Sequence, residues 1–415
     1  MRDVTIRQCA VLVGGGDAPK PLLPCGDRPF LAWTLRELIR FGVEEFVLLT
    51  GDFPSAVGAQ LAALAAHMPR RVRIVVSQAP TRAGTGGALF AARERLDERF
   101  LLCDGDSLFD CNLAPLLSAA AGDGPDVACR MVLRRSERAS RHGIVVLDGD
   151  RVGAYCAPQR DAPSMIDAGV CVSARRLVDE LEPICSLESH ILPRLAAQGA
   201  LRGTLGQGYS CDVTVPENFA RAQEEISRLL CRPALLLDRD GVVNIDHGWV
   251  GTRDRFEWTP GARAAIRAAT DAGWHVFIVT NQSGVARGHF DEAAVAALHA
   301  WMTDEVRRAG GTIDDIRYCP FHEDAVVPAY RRVSDWRKPA PGMLLDLMRA
   351  WELDRARCVM IGDQDRDMAA AKAAGVRACR FNGGDLADFV RPILGSHARV
   401  DCQPAASAGA PRSSG

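Results

Sequence analysis

No stretch of this chain is apolar for long enough to span a bilayer, and no basic segment leading into a hydrophobic run opens it. The sequence therefore predicts neither a transmembrane helix nor an export signal. It also lacks a charge excess of one sign: 50 basic side chains stand against 52 acidic ones, for a net charge of −2. Nucleic acid and anionic membranes, which select strongly basic surfaces, are excluded as partners on that ground. Fourteen cysteines follow no paired spacing, and Cys103, Cys171 and Cys358 sit inside apolar segments. They are predicted to be reduced core thiols of a cytoplasmic protein, because a disulfide framework needs an oxidising compartment. No internal repeat is visible. The nine histidines are scattered, and His142, His275 and His299 read as surface or structural residues.

What is present suffices for two cores. At 415 residues and 47% hydrophobic content, the chain is predicted to form two α/β domains, residues 1–226 and 232–392. The boundary falls within residues 223–233, where a helical segment, AQEEISRLL, runs into Arg232-Pro233. So short a linker predicts domains in contact. Residues 403–415, rich in Ala, Ser, Gly and Pro, are predicted to be disordered.

The chemistry concentrates in the second half. In LLLDRDGVVN (residues 235–244) a buried strand delivers Asp238 and Asp240 to a turn that Gly241 permits. Two carboxylates one residue apart repel each other unless a cation sits between them, so the pair reads as a divalent-metal site with one carboxylate left for chemistry. Alone, such a pair is a common solvated turn. Here HVFIVTNQSG (residues 275–284) ends a second strand in Thr280 and Asn281, which can donate hydrogen bonds to a phosphoryl oxygen. DWRKPAPGM (residues 335–343) supplies Arg337 and Lys338 before two prolines that hold the loop extended. CVMIGDQDRDM (residues 358–368) ends a third strand in Gly362-Asp363, with Asp367 four residues on. Helix-like sequence follows each strand, which predicts a parallel sheet whose carboxyl ends gather these loops into one crevice. The chemistry that fits is phosphoryl transfer to Asp238 and then to water. Asp240 serves as acid and base, Lys338 and Mg²⁺ neutralise the phosphoryl charge, and Thr280 and Asn281 orient it.

The text DRDGVVNIDHGWV, TNQSGVARGHF, RKPAPGM and GDQDRDM resembles the haloacid dehalogenase superfamily over residues 232 to about 392. It is most similar to small cap-less members that hydrolyse D-glycero-D-manno-heptose 1,7-bisphosphate or histidinol phosphate. His247-Gly248-Trp249-Val250 resembles the heptose group. The resemblance implies Asp238 as nucleophile, Asp240 as acid/base, and Thr280, Asn281 and Lys338 as phosphate ligands. It implies Arg337 as a substrate contact and Asp238, Asp240 and Asp363 around Mg²⁺. Many relatives also hold a structural zinc with Cys-Pro-His and a later Cys-x-Cys. Here Phe321 follows Cys319-Pro320, and Ser334-Asp335-Trp336 replaces the later pair. Zinc needs four N or S ligands, and Cys319 with an off-register His322 cannot supply them. No zinc is predicted, with Phe321 and Trp336 filling the loop.

The first half reads differently. CAVLVGGG, GTGGALFAAR, FLLCDGDSLFD, IDAGV, SLESHILPRL and CDVTVPENFARA, in that order, resemble the nucleotidyltransferases that join a sugar 1-phosphate to a nucleoside triphosphate, heptose guanylyltransferases included. The resemblance implies a Rossmann-like α/β sandwich. It implies Gly14, Gly15 and Lys20 at the triphosphate, Gly86 and Gly87 at the base, and Asp106 and Asp212 at Mg²⁺. The chain departs from the pattern where phosphates gather. The insert with its arginine is missing between Gly16 and Pro19-Lys20, the Glu-Lys pair is absent near residues 155–158, and the usual Asn is Asp167. Losing one such cation commonly costs about 3–4 kcal/mol of transition-state stabilisation.

Three readings stay open. The first is a Mg²⁺-dependent sugar-phosphate phosphatase that removes the 7-phosphate of a heptose 1,7-bisphosphate. The second adds a nucleotidyltransferase in the first domain that makes a nucleotide-activated, GDP-type heptose. The third makes the first domain a non-catalytic sugar-nucleotide-binding module. Partners under all three are small molecules, a sugar phosphate with or without a nucleoside triphosphate or sugar nucleotide, and a homo-oligomer stays open.

Overall fold

The computed structural model describes residues 5–14, 20–51, 54–136, 143–156 and 164–395. Gly15, His142 and the predicted disordered tail at 403–415 lie outside the described residues.

Two α/β units follow one another. The first is built on a nine-stranded mixed sheet in the order Arg73–Gln78, Glu45–Thr50, Gln8–Leu12, Arg99–Asp104, Ser164–Ala174, Cys129–Ser136, Leu201–Leu205, Arg151–Cys156, Ile144–Asp148. Its first four strands run parallel, and Ser164–Ala174 is antiparallel to both its neighbours. A two-stranded ladder of Ser107–Asp110 with Tyr209–Asp212 stands apart from it and sets Asp106 beside Asp212.

The helix Pro216–Leu230 starts with proline at its first turn, where a missing N–H costs nothing, and runs past residue 226. It buries Ala222, Ile226 and Leu230 against Cys25, Phe30 and Trp33 of the first unit. Three residues separate it from the strand Ala234–Leu237. This strand is central in a five-stranded parallel sheet ordered Asp315–Cys319, His275–Asn281, Ala234–Leu237, Cys358–Gly362, Arg377–Arg380. ALLL is buried at every position because the sheet is covered on both faces, as a continuous apolar run requires. Chain order reverses on either side of Ala234–Leu237, and at such a switch point the loops leave the carboxyl ends of neighbouring strands in opposite directions and open a crevice.

The units share a core. Leu31, Leu35 and Leu38 of the first and Phe277, Leu347 and Trp351 of the second belong to one contiguous buried cluster. Buried arginines close its edge. Arg232 donates to Asp110 at 2.6 Å, to Glu37 at 2.7 Å and to the Gly273 carbonyl at 3.2 Å. Arg40 donates to Asp314 at 2.9 Å and to the Trp274 carbonyl at 3.0 Å. Burial alone would raise the Asp314 carboxyl, but Arg40, His275 and the Val276 amide together hold it below its usual range. The thirteen cysteines of the described residues are free thiols. Among the described residues no helix is long and apolar enough to cross a membrane.

Candidate active site

Loops leaving the parallel sheet bring the parts of a polar cluster together. Asp238 follows directly on Leu237, and its N–H donates to the Ile361 carbonyl at 2.9 Å, which extends the strand pairing by one residue. Its side chain is 3% exposed, with Oδ1 accepting the Arg239 amide at 2.7 Å and Oδ2 lying 2.8 Å from Lys338 Nζ. The ammonium also meets Asp367 Oδ1 at 2.7 Å and donates to the Val279 carbonyl at 2.8 Å. Burial pushes the Asp238 carboxyl up to about 7; Lys338 opposes this, and Asp367 and Asp240 add to it.

Asp238, Asp363 and Asp367 each present an oxygen within 4.8 Å of the others. Asp363 Oδ1 is buried and has no hydrogen-bond partner, while its other oxygen accepts from Gln364 at 2.8 Å. An orphaned carboxylate oxygen beside two more carboxylates is an unfavourable arrangement without a cation, and an all-oxygen donor set suits a hard one such as Mg²⁺. Gly241 makes room for it. At φ +87° the residue is left-handed, and a Cβ there would lie 2.4 Å from Asp363 Oδ2.

The carboxylate that completes this cluster is Asp367, to which the sequence assigned no role. It stands at the third position of the helix Asp365–Ala374 and caps that helix through the Gln364 N–H, so its spacing reads as an ordinary capping box. The side chain of Asp240, expected around the metal, lies elsewhere. Arg239 holds it at 2.9 and 3.0 Å, Asn244 at 3.0 Å and Gln282 at 2.9 Å. Arg239 is fully buried and also donates to the Val250 carbonyl and faces His299 Nε2 at 3.2 Å. Burial, then Arg239, pushes the His299 imidazole down to about 3, so it is neutral and accepts from the guanidinium, which can only donate. His299 is thus structural. Arg239 reads in the sequence as a mere spacer between two aspartates.

Thr280 is buried, and its hydroxyl accepts from Gln282 at 2.8 Å. Asn281 is committed to the backbone of Lys338: its amide donates to the Lys338 carbonyl and its carbonyl accepts the Lys338 N–H, both at 3.0 Å. Rather than facing the crevice alone, Asn281 fixes the lysine loop to the strand end. Arg337 is half-buried with Nη1 lacking a partner, and burial together with nearby Arg366 and Arg287 lowers its pKa.

In the first unit a cavity of about 300 Å³ opens at the strand ends. Gly14, Lys20, Asp106 and Asp212 line it, with Asp104, Asp167 and Glu188. Lys20 is the one basic side chain among the described lining residues, and its Nζ donates to the Thr214 carbonyl at 3.3 Å. Asp104, missed in the sequence although it opens the Asp-Gly-Asp of FLLCDGD, is raised well above the usual carboxylate range by burial and by its acidic neighbours. Gly86 and Gly87 do not face the cavity. Their N–H groups donate to the Cys185 carbonyl at 3.0 and 3.2 Å, and a Cβ on either would strike residues 183–185. They are packing glycines.

Burial, then Glu188, pushes the Asp167 carboxyl from 3.8 up to about 6, against the Gly169 N–H and the Tyr155 hydroxyl. The folded state then favours the protonated acid, so this group weakens the fold as pH rises from about 4 through about 6. Asp167→Asn keeps an acceptor for Gly169 and removes the charge. It should stabilise the chain by of order 1 kcal/mol at about pH 7.5, with the gain vanishing near pH 4. Thermal melts of both proteins across that range read the difference, and a gain independent of pH would refute the assignment.

A buried aspartate at the carboxyl end of the central parallel strand, set against a lysine and two further carboxylates, defines a haloacid-dehalogenase-type hydrolase of phosphate esters. Comparison with known proteins agrees. The HAD-hydrolase-like family matches residues 335–386, and the MobA-like NTP transferase domain matches residues 12–202. The D-glycero-beta-D-manno-heptose-1,7-bisphosphate 7-phosphatase of Rhodopseudomonas palustris is 53% identical over 163 residues, 39% of this chain and 91% of that protein. Through its second unit the chain belongs to the family of these phosphatases. The protein of the same name from Escherichia coli K12 is 44% identical over 144 residues, 35% of this chain and 75% of its own. Among solved structures, HddC from Yersinia pseudotuberculosis is matched over 53% of this chain and 100% of its own at 20% identity, with a TM-score of 0.47. The protein is therefore an enzyme, a phosphatase that carries an NTP-transferase-type domain ahead of its hydrolase domain.

Proposed function

We propose that the second unit removes the 7-phosphate of D-glycero-D-manno-heptose 1,7-bisphosphate through an aspartyl-phosphate on Asp238. The observation that carries this reading is the buried Asp238–Lys338–Asp367 contact beside the orphaned Asp363 oxygen, on a unit 53% identical to a phosphatase of that name. Asp238 attacks phosphorus, and the bond from phosphorus to the sugar oxygen breaks. Asp240, oriented by Arg239, Asn244 and Gln282, gives its proton to the leaving alkoxide. It then takes one from the water that hydrolyses the aspartyl-phosphate and releases inorganic phosphate. Lys338 neutralises charge on the transferring group, while Thr280 and the loop that Asn281 fixes shape the pocket around it. Asp238, Asp363 and Asp367 would hold Mg²⁺, which when bound supplies charge neutralisation and keeps Asp238 ionised.

Incubation of the full chain with Mg²⁺ and the bisphosphate should release one phosphate and leave a heptose 1-phosphate, read by phosphorus NMR. The bisphosphate should exceed histidinol phosphate in kcat/KM by at least about tenfold. Release of the anomeric phosphate, or preference for histidinol phosphate, would overturn the substrate.

A second reading concerns the first unit, whose match to NTP transferases spans residues 12–202 and whose cavity sets Lys20 beside Asp106 and Asp212. In this reading it joins the heptose 1-phosphate to a nucleoside triphosphate, GTP by preference. Pyrophosphate release from GTP and heptose 1-phosphate, lost in Asp106→Asn, supports it; nucleotide binding without turnover makes the unit a binding module instead.

A further inference from the structure

The segment after the strand Asp315–Cys319 is where the sequence resemblance implies a zinc loop, and its residues do not fit that ion. Cys319 is buried, its thiol donates to the Phe321 carbonyl, and burial raises its pKa. Both ring nitrogens of His322 are engaged, Nδ1 accepting the Asp324 N–H at 3.0 Å and Nε2 lying 3.4 Å from Arg287 Nη2. The positions that would complete four ligands hold Ser334 and Trp336. Among the described residues the acidic triad is the one group of three or more His, Cys, Asp or Glu placed to hold an ion.

Another device closes the loop. The Arg332 guanidinium lies 3.5 Å from the centre of the Phe321 ring, which packs 6.0 Å from Tyr330. The Tyr330 hydroxyl donates to Glu292 at 2.9 Å, and Tyr318 donates to the other oxygen of the same carboxylate at 2.6 Å. The backbone agrees, because the His322 N–H donates to the Tyr330 carbonyl at 3.2 Å. Loop, strand and the helix Glu292–Arg308 are thereby tied together. The exit of the loop is a turn in which the Arg337 N–H donates to the Ser334 carbonyl at 3.1 Å. That turn delivers Arg337, with its unpartnered Nη1, next to Lys338.

We propose that the stack of Arg332 on Phe321, anchored through Tyr330 to Glu292, is a metal-free clasp that replaces a zinc ion and positions Arg337 at the mouth of the phosphatase crevice. Arg332 is a positioning residue and acts through Arg337. Its exposed side chain covers the ring face and so ties the start of the loop to a residue just ahead of the exit turn; a cation over an aromatic face attracts without any coordination chemistry. The clasp is a statement about the loop, and only the kinetic part of its test rests on the phosphatase reading above.

The test uses the full-length chain. Purified protein should contain far less than one equivalent of zinc by plasma mass spectrometry, and a zinc-selective chelator should leave the thermal midpoint unchanged. Arg332→Ala should raise KM for the bisphosphate about five- to tenfold with kcat nearly unchanged, and Arg332→Lys should restore part of it. In an Arg337→Ala background, Arg332→Ala should add nothing further to KM. One equivalent of zinc, or a chelator-induced fall in the midpoint, would overturn the clasp. An Arg332→Ala effect on KM that persists in full without Arg337, or an absent effect, would overturn its positioning role. Absence of any phosphatase turnover with the parent chain would strike the functional reading alone, since zinc content and midpoint are read without substrate.

Discussion

Asp238→Asn is expected to lower kcat by at least about 10³-fold, because the attacking oxygen is replaced by an amide that forms no acyl phosphate. Structure should survive the change. Lys338 keeps Asp367 at 2.7 Å and the Val279 carbonyl at 2.8 Å, so its charge stays compensated. Removing a carboxylate that burial already raises towards neutrality also relieves repulsion from Asp367 and Asp240. The variant should therefore match the parent in circular dichroism and thermal midpoint while showing no acid-stable trace of covalent phosphate after quenching. Turnover within tenfold of the parent would mean that a different group attacks phosphorus, and the proposed chemistry would fail.

The second large effect is one of stability. Arg232→Ala should destabilise the chain by about 3–5 kcal/mol, because removing one member of a buried ion network weakens the compensation of the charges that remain. Asp110 is 4% exposed and loses a partner at 2.6 Å, Glu37 loses one at 2.7 Å, and the Gly273 carbonyl loses its donor. Glu37 retains Arg40 at 3.0 Å, which softens the loss. Urea titration followed by tryptophan fluorescence reads the change. A loss under about 1 kcal/mol would show that water replaces the guanidinium and that the junction is looser than its distances imply.

Much of this architecture could be read from the chain because its local signals agree with one another. Leu235, Leu236 and Leu237 read as buried-strand material and are buried, and the helices after the strands of residues 234–237 and 358–362 stop at glycines visible in the sequence. Asp238, Thr280 and Asp363 sit at or just past the ends of those strands, so identifying the strands was enough to gather them; Lys338 comes from a loop that Asn281 pins to the end of its strand. Residues that act through partners distant in sequence were harder. Asp367 hides as a helix cap, and Arg239 lies between two aspartates that draw all the notice. Asn281 finds its partner 57 residues away, in the backbone of Lys338. Gly86 and Gly87 look like a nucleotide loop, yet their amides serve a carbonyl nearly a hundred residues downstream. The arginines at the junction carry no motif, since a buried guanidinium is defined only by the carboxylates that tertiary structure sets around it.

Leu35 of the first unit and Trp351 of the second lie in the same buried cluster, and this has a bearing on how such a chain changes over generations. Removing either half would bare the apolar face that it covers on the other, whatever becomes of its own chemistry. A cavity with Lys20 as the one basic side chain among its described lining residues can therefore sit inside an intact scaffold. Persistence of that scaffold across descendants would record a mechanical debt to the hydrolase, and only turnover can speak for a second catalyst.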